Sequence, residues 1–443
     1  MPAPLVYVIV INWNGIAHVR DCFDTVLCSG YPRFRVVLVD NASTDGSPEE
    51  VERRYGGDGR VEVLRLPQNR NWGGGNNAGI GRALEAGADY VFLLNNDTWL
   101  SEDALSLLVE AAEAQPRAGA IAPKMVMFDT PEVLNSVGVA VSSIGAAWDN
   151  GAGRVDRGQF DTPREVAAVC GGAMFLRAEA LRKVGGIDEA YGIYYDDVDL
   201  CLRLWAAGYS CVTAPGARVG HKFSASTGGD GEQRKIATME RNRLRCLRRH
   251  FGASPAMLAA AAVGELRVAG SAIRDGQWWR LPVQARAWGA FLSAQRLAGA
   301  GARVEALLER GRMFCPAVLL PRAGVYPLRE WGGIAGNPCA PRAAITLPEE
   351  AVQLCVMNTA MQKVYDCPLA ALPERAQAGP VSIRRDGSLL YFESTELLLA
   401  EESGLAHDTA GFVQCRDAHG AVLDLHAAAP AHRLPAALRA VRA

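Results

Sequence analysis

The sequence predicts an α/β protein: a mixed, mainly parallel sheet, then a helical segment and a small C-terminal β-domain. Three observations carry this. Short β-branched runs alternate with helix-compatible stretches over the first hundred residues, polar and acidic clusters follow those runs directly, and the texture changes near residues 232 and 316. Strand–helix–strand alternation argues for parallel strands covered by helices on both faces. Such sheets carry their functional residues at the C-terminal ends of the strands.

The elements follow in order. Leu5 to Ile11 and Arg35 to Asp40 are strands, with a helix in residues 16 to 28 between them. A strand at Val61 to Leu66, a helix from Asn76 to Glu85 and a strand at Tyr90 to Leu94 continue the alternation. Cys170 to Arg177 reads as a strand and Arg177 to Val184 as a short helix stopped by Gly185-Gly186. Asp199 to Ala206 is an amphipathic helix closed by Gly208. Residues 232 to 312 are rich in Ala, Leu and Arg and read as several helices. Pro316, Pro321, Pro327, Pro338 and Pro341 mark a linker, and AVQLCVMNT, GPVSIRRDGSLLYF and GFVQCRDAHGAVLDL read as strands with Asp-Gly and His-Gly turns. The predicted domains are therefore 1–231, 232–315 and 316–443.

Composition narrows the partners. At 443 residues the chain exceeds one compact core. Its 49% hydrophobic and 21% charged residues suit a folded globular protein, and a net charge of -2 gives no reason to expect nucleic acid. Eleven cysteines without CxxC spacing fit a reducing compartment. MPAPLVYVIVIN lacks a basic leader region, and no apolar run reaches the eighteen or so residues that cross a bilayer. The expected location is cytoplasmic.

Four segments carry the chemistry. VVLVDNASTDGS ends a strand at Asp40 and supplies Asn41, Ser43 and Asp45, which suit hydrogen bonds to a base and ribose and equally suit a helix N-cap. NRNWGGGNNAGI has three glycines, Gly73 to Gly75, that let backbone approach a ligand before Asn76-Asn77 opens a helix. LLNNDTWL places Asn95, Asn96 and Asp97 at a strand end, where a carboxylate can join a hard cation to phosphates. YYDDVDLCLRLWAAG opens a helix with Asp196-Asp197, a pair able to take a proton from an attacking hydroxyl or to complement the helix dipole. His221, in ARVGHKFSAST, follows a further strand.

In this order, over roughly the first 250 residues, these segments resemble the family-2 glycosyltransferases with the GT-A fold. The resemblance implies an inverting transfer of one sugar from a nucleoside-diphosphate sugar to a glycan or lipid-linked acceptor. It implies Mg²⁺ or Mn²⁺ held by Asp97 and His221, Asp197 as general base, and Asp196 as its support or an acceptor contact. Asp40, Asn41, Ser43, Asn12, Asn14, Gly74, Asn76, Asn95, Asn96 and Gly172 would line the nucleotide-sugar pocket. Trp13 stands where the family usually has tyrosine, and Asn95 where many members have aspartate. Asp188 is an acceptor contact or a turn cap, and Asp199 is structural. The rhamnosyltransferase-type members of bacterial surface polysaccharide synthesis are the most similar subgroup.

Two other classes compete. A sugar-nucleotide-forming nucleotidyltransferase would carry a glycine-rich, basic phosphate loop after the first strand, and none is there. A binding protein without activity would have no need to keep Asp97, Asp197 and His221 together. Processive synthases carry Q-x-x-R-W, and Gln284-Ala285-Arg286-Ala287-Trp288 has the wrong spacing, so single addition is expected. Seven Lys or Arg against Glu240 between Arg234 and Arg249, then Arg267, Arg274, Arg280, Arg286 and Arg296 interleaved with Trp278, Trp279, Trp288 and Phe291, suggest peripheral contact with the inner face of a membrane. The alternative is that the arginines are a solvated face and the aromatics pack inward.

Overall fold

The computed structural model describes nearly all of residues 2–222 and 232–252, residues 278–295, and separate strands between 325 and 427. The chain divides into two compact units: Met1–Ala152, Asp156–Ala260 and Leu281–Arg312 form the first, and Gly153–Val155, Ala261–Arg280 and Met313–Ala443 the second.

The first unit is built on a nine-stranded sheet. Its strands are β1 (Val6–Asn12), β2 (Phe34–Asp40), β3 (Val61–Arg65), β4 (Tyr90–Asn95), β5 (Thr98–Leu100), β6 (Ala118–Met127), β7 (Leu134–Ser136), β10 (Ala173–Arg177) and β11 (Ser210–His221). The separate pair β8 (Val139–Val141) and β9 (Ala147–Asp149) forms a hairpin beside it. The order is β3-β2-β1-β4-β10-β6-β11-β5, with β7 on β6. β3, β2, β1 and β4 are parallel, as are β6 and β11; β10 runs antiparallel between them and β5 antiparallel at the edge. This is the mixed, mainly parallel sheet the sequence predicts.

All seven residues of β1 are buried, so the strand needs cover on both faces. Val6, Val8 and Val10 meet Phe23 of α1 (Val19–Leu27) and Val51 of α2 (Ser47–Tyr55). Tyr7, Ile9 and Ile11 face Ile80 and Ala83 of α3 (Asn71–Glu85). The remaining helices of this unit used below are α4 (Ala104–Ala114), α5 (Ala178–Val184), α6 (Asp196–Ala206) and α7 (Glu232–Phe251), with a 3-10 turn at Glu189–Tyr191.

Two expectations need correction. α3 begins at Asn71, not Asn76, so Gly73 to Gly75 lie inside a helix. A Cβ on Gly75 would run into Ile11, and one on Gly73 would come within 2.9 Å of Ile187. The glycines therefore serve close packing of α3, Gly75 against the sheet and Gly73 against the Ile187 segment, which offsets their poor helix propensity. The strand expected from Cys170 starts at Ala173, because Cys170 to Gly172 form a turn closed by Ala173 N–H donating to the Cys170 carbonyl.

Within the second unit the described strands form two antiparallel sheets. One orders β12 (Val325–Pro327), β19 (Phe412–Arg416), β14 (Gln353–Met357) and β15 (Lys363–Pro368). The other orders β16 (Arg375–Ala378), β17 (Val381–Asp386), β18 (Leu389–Ser394), β13 (Arg342–Thr346) and β20 (His426–Ala427). The Asp386-Gly387 hairpin is present, with Gly387 at φ +60°. Pro327, expected in a linker, pairs with Phe412 at the edge of its sheet, a position that demands no proline N–H. Pro316, Pro321, Pro338 and Pro341 lie outside the described residues.

Gly79 of α3 offers a test of this packing. A Cβ there would collide with Ile9 and sit 3.0 Å from Val39 Cγ2, both in the sheet core. Gly79→Val should cost about 1–3 kcal/mol by overpacking, measured by denaturant unfolding. Unchanged stability would refute close α3–sheet contact.

Candidate active site

The C-terminal ends of β1, β2 and β4 are joined by a buried polar network. Asn12, with no exposure, donates through Nδ2 toward Ser47 Oγ (2.8 Å), Ser43 Oγ (3.1 Å) and Asp40 Oδ1 (3.3 Å). Its own Oδ1 accepts from Asn96 Nδ2 at 2.7 Å. The Asp40 carboxylate also accepts from Ser43 N–H. Asn41 clamps the start of α3, accepting from Arg70 N–H at 2.8 Å and donating to the Asn71 carbonyl at 2.9 Å. Asn14 is held in a left-handed conformation (φ 51°) by donating its N–H to Ser43 Oγ and accepting from Thr44 N–H. The sequence assigned these side chains to the nucleotide; the structure spends much of their hydrogen-bonding capacity on one another. They build the pocket wall and leave Trp13, 51% exposed, standing off the end of β1.

Asn76 has no exposure and donates to the Trp72 carbonyl, while Gly74 packs on Arg70 and Glu189. Both lie within α3 and face its neighbours. Trp72, which the sequence reading missed, reaches the centre. Its Nε1 donates to Asn95 Oδ1 at 3.1 Å, and its ring lies close over Gly171.

Asp97 and His221 meet on neighbouring strand ends. Asp97 is 1% exposed, and both carboxylate oxygens lack a hydrogen-bond donor; His221 Nε2 lies 3.4 Å from Oδ1. His221 Nδ1 faces Asn135 Oδ1 at 3.2 Å on β7, which assigns the proton to Nδ1 and turns Nε2 toward Asp97. Burial would raise the Asp97 carboxyl, but the charge of His221 beside it outweighs this and holds Asp97 below the usual range. Burial would likewise lower His221, and Asp97 lifts it instead. A buried carboxylate facing an imidazole nitrogen needs a proton or a cation between them. These oxygen and nitrogen donors suit Mg²⁺ or Mn²⁺, with phosphate and water to complete the coordination. Among the described residues no group of three His, Cys, Asp or Glu forms a complete protein cage.

The acidic pair opens α6, as expected. Asp197 accepts from Gly171 N–H at 2.9 Å through Oδ2 and from Val198 N–H at 2.8 Å through Oδ1. Asp196 is 4% exposed, and its Oδ2 has no partner. Burial and then the adjacent Asp197 charge push Asp196 up to about 8. Burial also raises Asp197, against the N–H groups of Gly171 and Val198. Asp197, half-buried and hydrogen-bonded to backbone, therefore ionises first, and Asp196 keeps its proton near neutral pH. Gly172 lies against His221, where a Cβ would approach Cε1 to 3.2 Å. Adjacent glycines thus touch the acid pair on one side and the Asp97–His221 pair on the other.

Asp149, at the end of β9, is a third acid absent from the sequence reading. Burial and then the Asp197 charge push it up to about 6, against hydrogen bonds from Ser136 and Cys170. Its isolation within a glycine-rich stretch gave no signal. Asp188 takes the turn-cap alternative: it accepts from Ala190 N–H at 3.0 Å and pairs with Arg249 at 2.5 Å and Arg245 at 3.3 Å.

Part of the basic stretch is engaged in contacts within the first unit. Arg241 donates to the Tyr191 carbonyl, Arg243 pairs with Glu240, and Arg245 and Arg249 pair with Asp188. In the helix Arg280–Ser293, Phe291 is 3% exposed and Trp288 packs against the core. Arg243, Arg245, Arg249, Trp288 and Phe291 are thereby engaged within the first unit, while Arg234 and Arg241 stay exposed. Arg267, Arg274 and Arg296 lie outside the described residues. No helix among the described residues is long and apolar enough to cross a membrane.

A nucleotide-type α/β sheet with a strand-end Asp–His pair and a carboxylate dyad across two glycines defines a sugar-transferring enzyme of the GT-A type. Comparison agrees: the model for glycosyl transferase family 2 matches residues 7–185. The chain is 31% identical over 242 residues to an N-acetylglucosaminyl-diphospho-decaprenol L-rhamnosyltransferase of Mycobacterium tuberculosis, covering 50% of this chain and 78% of the relative. It is 30% identical over 235 residues to the O-antigen biosynthesis protein RfbC of Myxococcus xanthus, covering 48% of this chain and 17% of that protein. Among solved structures, GalNAc-T7 with UDP, GalNAc and Mn²⁺ aligns with a TM-score of 0.51 at 11% identity, covering 97% of this chain and 73% of that one, a likeness of fold. The chain belongs to glycosyl transferase family 2.

The raised Asp196 carboxyl makes a stability prediction. Between its ordinary value of 3.8 and about 8, the unfolded chain releases a proton that the folded protein keeps. Stability is therefore lost as pH rises across that window. Asp196→Asn should stabilise the protein by on the order of 1–3 kcal/mol at pH 8 and by little near pH 4, read by denaturant unfolding in metal-free buffer. An equal effect at both pH values would contradict a buried, protonated Asp196.

Proposed function

We propose that this enzyme moves one sugar, rhamnose first among the candidates, from a nucleoside diphosphate to a glycan or lipid-linked glycan in surface polysaccharide synthesis, with inversion at the anomeric carbon. The observation that carries the reading is the pair Gly171-Gly172, bonded to Asp197 through one residue and packed on His221 through the next. That arrangement brings a proton acceptor and a phosphate-side charge pair to opposite flanks of one small space. The choice of sugar and acceptor is supported by the M. tuberculosis relative, whose name specifies L-rhamnose and a diphospho-decaprenol acceptor. The O-antigen relative supports the polysaccharide context.

In this mechanism Trp13 stacks on the base, and the wall built around Asn12 and Asp40 bounds the nucleoside. The Asp97 carboxylate and His221 Nε2 would hold Mg²⁺ or Mn²⁺, which would supply positive charge for the leaving diphosphate. Asn135 fixes the His221 ring through Nδ1. Asp197 takes the proton of the acceptor hydroxyl as its oxygen bonds to the anomeric carbon and the carbon–phosphate oxygen bond breaks. Asp196, protonated, lets Asp197 carry the single negative charge of the pair.

We also infer a narrowed membrane contact. Within the first unit Leu292 is 77% exposed, and Arg286 on the same helix is exposed too. An exposed apolar side chain on a helix that also carries an exposed arginine suits an anionic interface, where a lipid-linked acceptor resides. Co-sedimentation with anionic vesicles at low salt should be weakened in Leu292→Ser; equal sedimentation of this variant would remove the contact.

Nucleoside diphosphate release with dTDP-rhamnose, UDP-glucose, UDP-galactose, UDP-GlcNAc and GDP-mannose identifies the donor. With that donor, Asp97→Ala should abolish turnover in either metal. Asp197→Asn should slow transfer by about 10²- to 10⁴-fold while nucleotide binding persists. If Asp196→Asn is crippled and Asp197→Asn active, the roles within the pair are reversed. No release with any donor and acceptor would end the transferase mechanism proposed for this site.

A further inference from the structure

The loop that delivers the acid pair is strained. Tyr194 and Tyr195, immediately before Asp196, both sit at φ 67°. Left-handed backbone at two successive bulky residues is unfavourable and persists only where surrounding groups over-determine it. The groups that do so come from α7, beyond the stretch matched by the family model. Asn242 has no exposure, and its Nδ2 donates to three carbonyls of the loop: Tyr191 at 2.9 Å, Ile193 at 2.8 Å and Tyr194 at 2.9 Å. Its Oδ1 accepts from Arg241 Nε at 3.0 Å, which assigns the orientation of the amide. The same arginine donates through a second nitrogen to the Tyr191 carbonyl at 2.8 Å. On the far side, the Tyr195 hydroxyl accepts from Ala147 N–H at 3.3 Å on β9.

We propose that Asn242 is the positioning residue for the catalytic dyad: it gathers the carbonyls of residues 191, 193 and 194 and so sets where α6 begins. The chain of contacts is short. Asn242 holds the Tyr194 carbonyl, two residues later comes Asp196, and Asp197 meets Gly171 N–H through a bond of 2.9 Å. Two amide hydrogens serving three carbonyls is a set that only an Asn-like NH₂ supplies. Alanine leaves those carbonyls buried without that donor, and aspartate brings a charge among acceptors. Either change releases the left-handed pair toward ordinary backbone and moves Asp197 away from Gly171. A 1 Å error at a reacting group can cost about 10²-fold in rate. The wall around Asn12 and Asp40, on the opposite half of the sheet, has no bond to Asn242, so nucleotide affinity is left in place.

This inference rests on Asp197 being the base, so the experiment has one arm that needs turnover and one that does not. Hydrogen exchange of the substrate-free protein is compared among wild type, Asn242→Ala and the milder Arg241→Ala, in which an exposed residue is changed. Exchange should rise in residues 191–199 while β1, β2 and β4 stay protected. With the donor found above, Asn242→Ala should lower kcat about tenfold to a hundredfold. The donor KM and nucleoside diphosphate affinity should stay within about twofold, and Arg241→Ala should fall between the variant and wild type. Loss of the Gly171 bond should also move the acidic limb of the kcat–pH profile to higher pH, a change general destabilisation does not produce. Unchanged exchange at 191–199 in both variants overturns the proposal. So does increased exchange there with wild-type kcat and an unmoved pH limb. If Asn242→Ala does not fold, Arg241→Ala decides by the same readings. If wild type itself turns over no donor, the transferase mechanism has failed and the exchange arm alone judges the clamp.

Discussion

Asp199 is a carboxylate with no exposure, and the catalytic end of the first unit is organised around its charge. It accepts from the Tyr191 hydroxyl at 3.1 Å and pairs with Arg203 at 2.8 Å, His250 at 2.8 Å and Arg249 at 3.3 Å. Burial works to neutralise it, but His250, Arg203 and Arg249 hold it ionised far below the ordinary carboxylate range. Leaving such a charge unpaired costs several kcal/mol, so its partners have little freedom to move. They come from the 3-10 turn before the acid pair, from α6 itself and from the end of α7. Arg203 extends the constraint by donating to the carbonyls of Val184 and Gly186. One buried charge thereby joins α6, α7 and the Gly185-Gly186 turn.

The acids at the head of α6 inherit their properties from this frame. Asp199 lies one helical turn from Asp196, and its charge adds to the burial and the Asp197 charge that keep Asp196 protonated. A pair with one proton combines an ionised acceptor and a neutral neighbour at the same pH. On the other flank, Asp97 and His221 shift in opposite senses, each favouring the charge of the other. Trp72 and Asn135 are uncharged and orient these groups: Trp72 anchors Asn95, and Asn135 anchors His221. Removing either would spare the reacting groups yet alter their direction.

A different economy governs the nucleotide side. Asn12, Asp40, Ser43, Asn96 and Ser47 satisfy one another at the ends of three adjacent strands, and Asn41 beside them bonds the start of α3. Buried polar groups must find partners, and here they find them across strand ends. The result is a rigid rim at the place where parallel sheets bind ligands. It also explains why short polar residues gather there even though few of them project into open space.

The sequence by itself determined the sheet, the strand-end acids and the family. Those signals are local: β-branched runs of the right length, acids directly after them, and Asp196-Asp197 opening a helix. Gly73 to Gly75 misled because a glycine run looks the same whether it loops round a ligand or lets a helix lie close on Ile11 and Ile187. The pairing of Arg243, Arg245 and Arg249 was equally invisible, since a basic helix shows its charges in sequence but not Glu240 or Asp188 beneath them. Trp72, Asn135, Asp149 and Asn242 carried no signal at all. Each matters through a partner far along the chain: Asn135 is 86 residues from His221, and Asn242 is 48 from Tyr194. Such contacts exist only once the strands are ordered, because a side chain's partners are fixed by three-dimensional register and not by its neighbours in sequence.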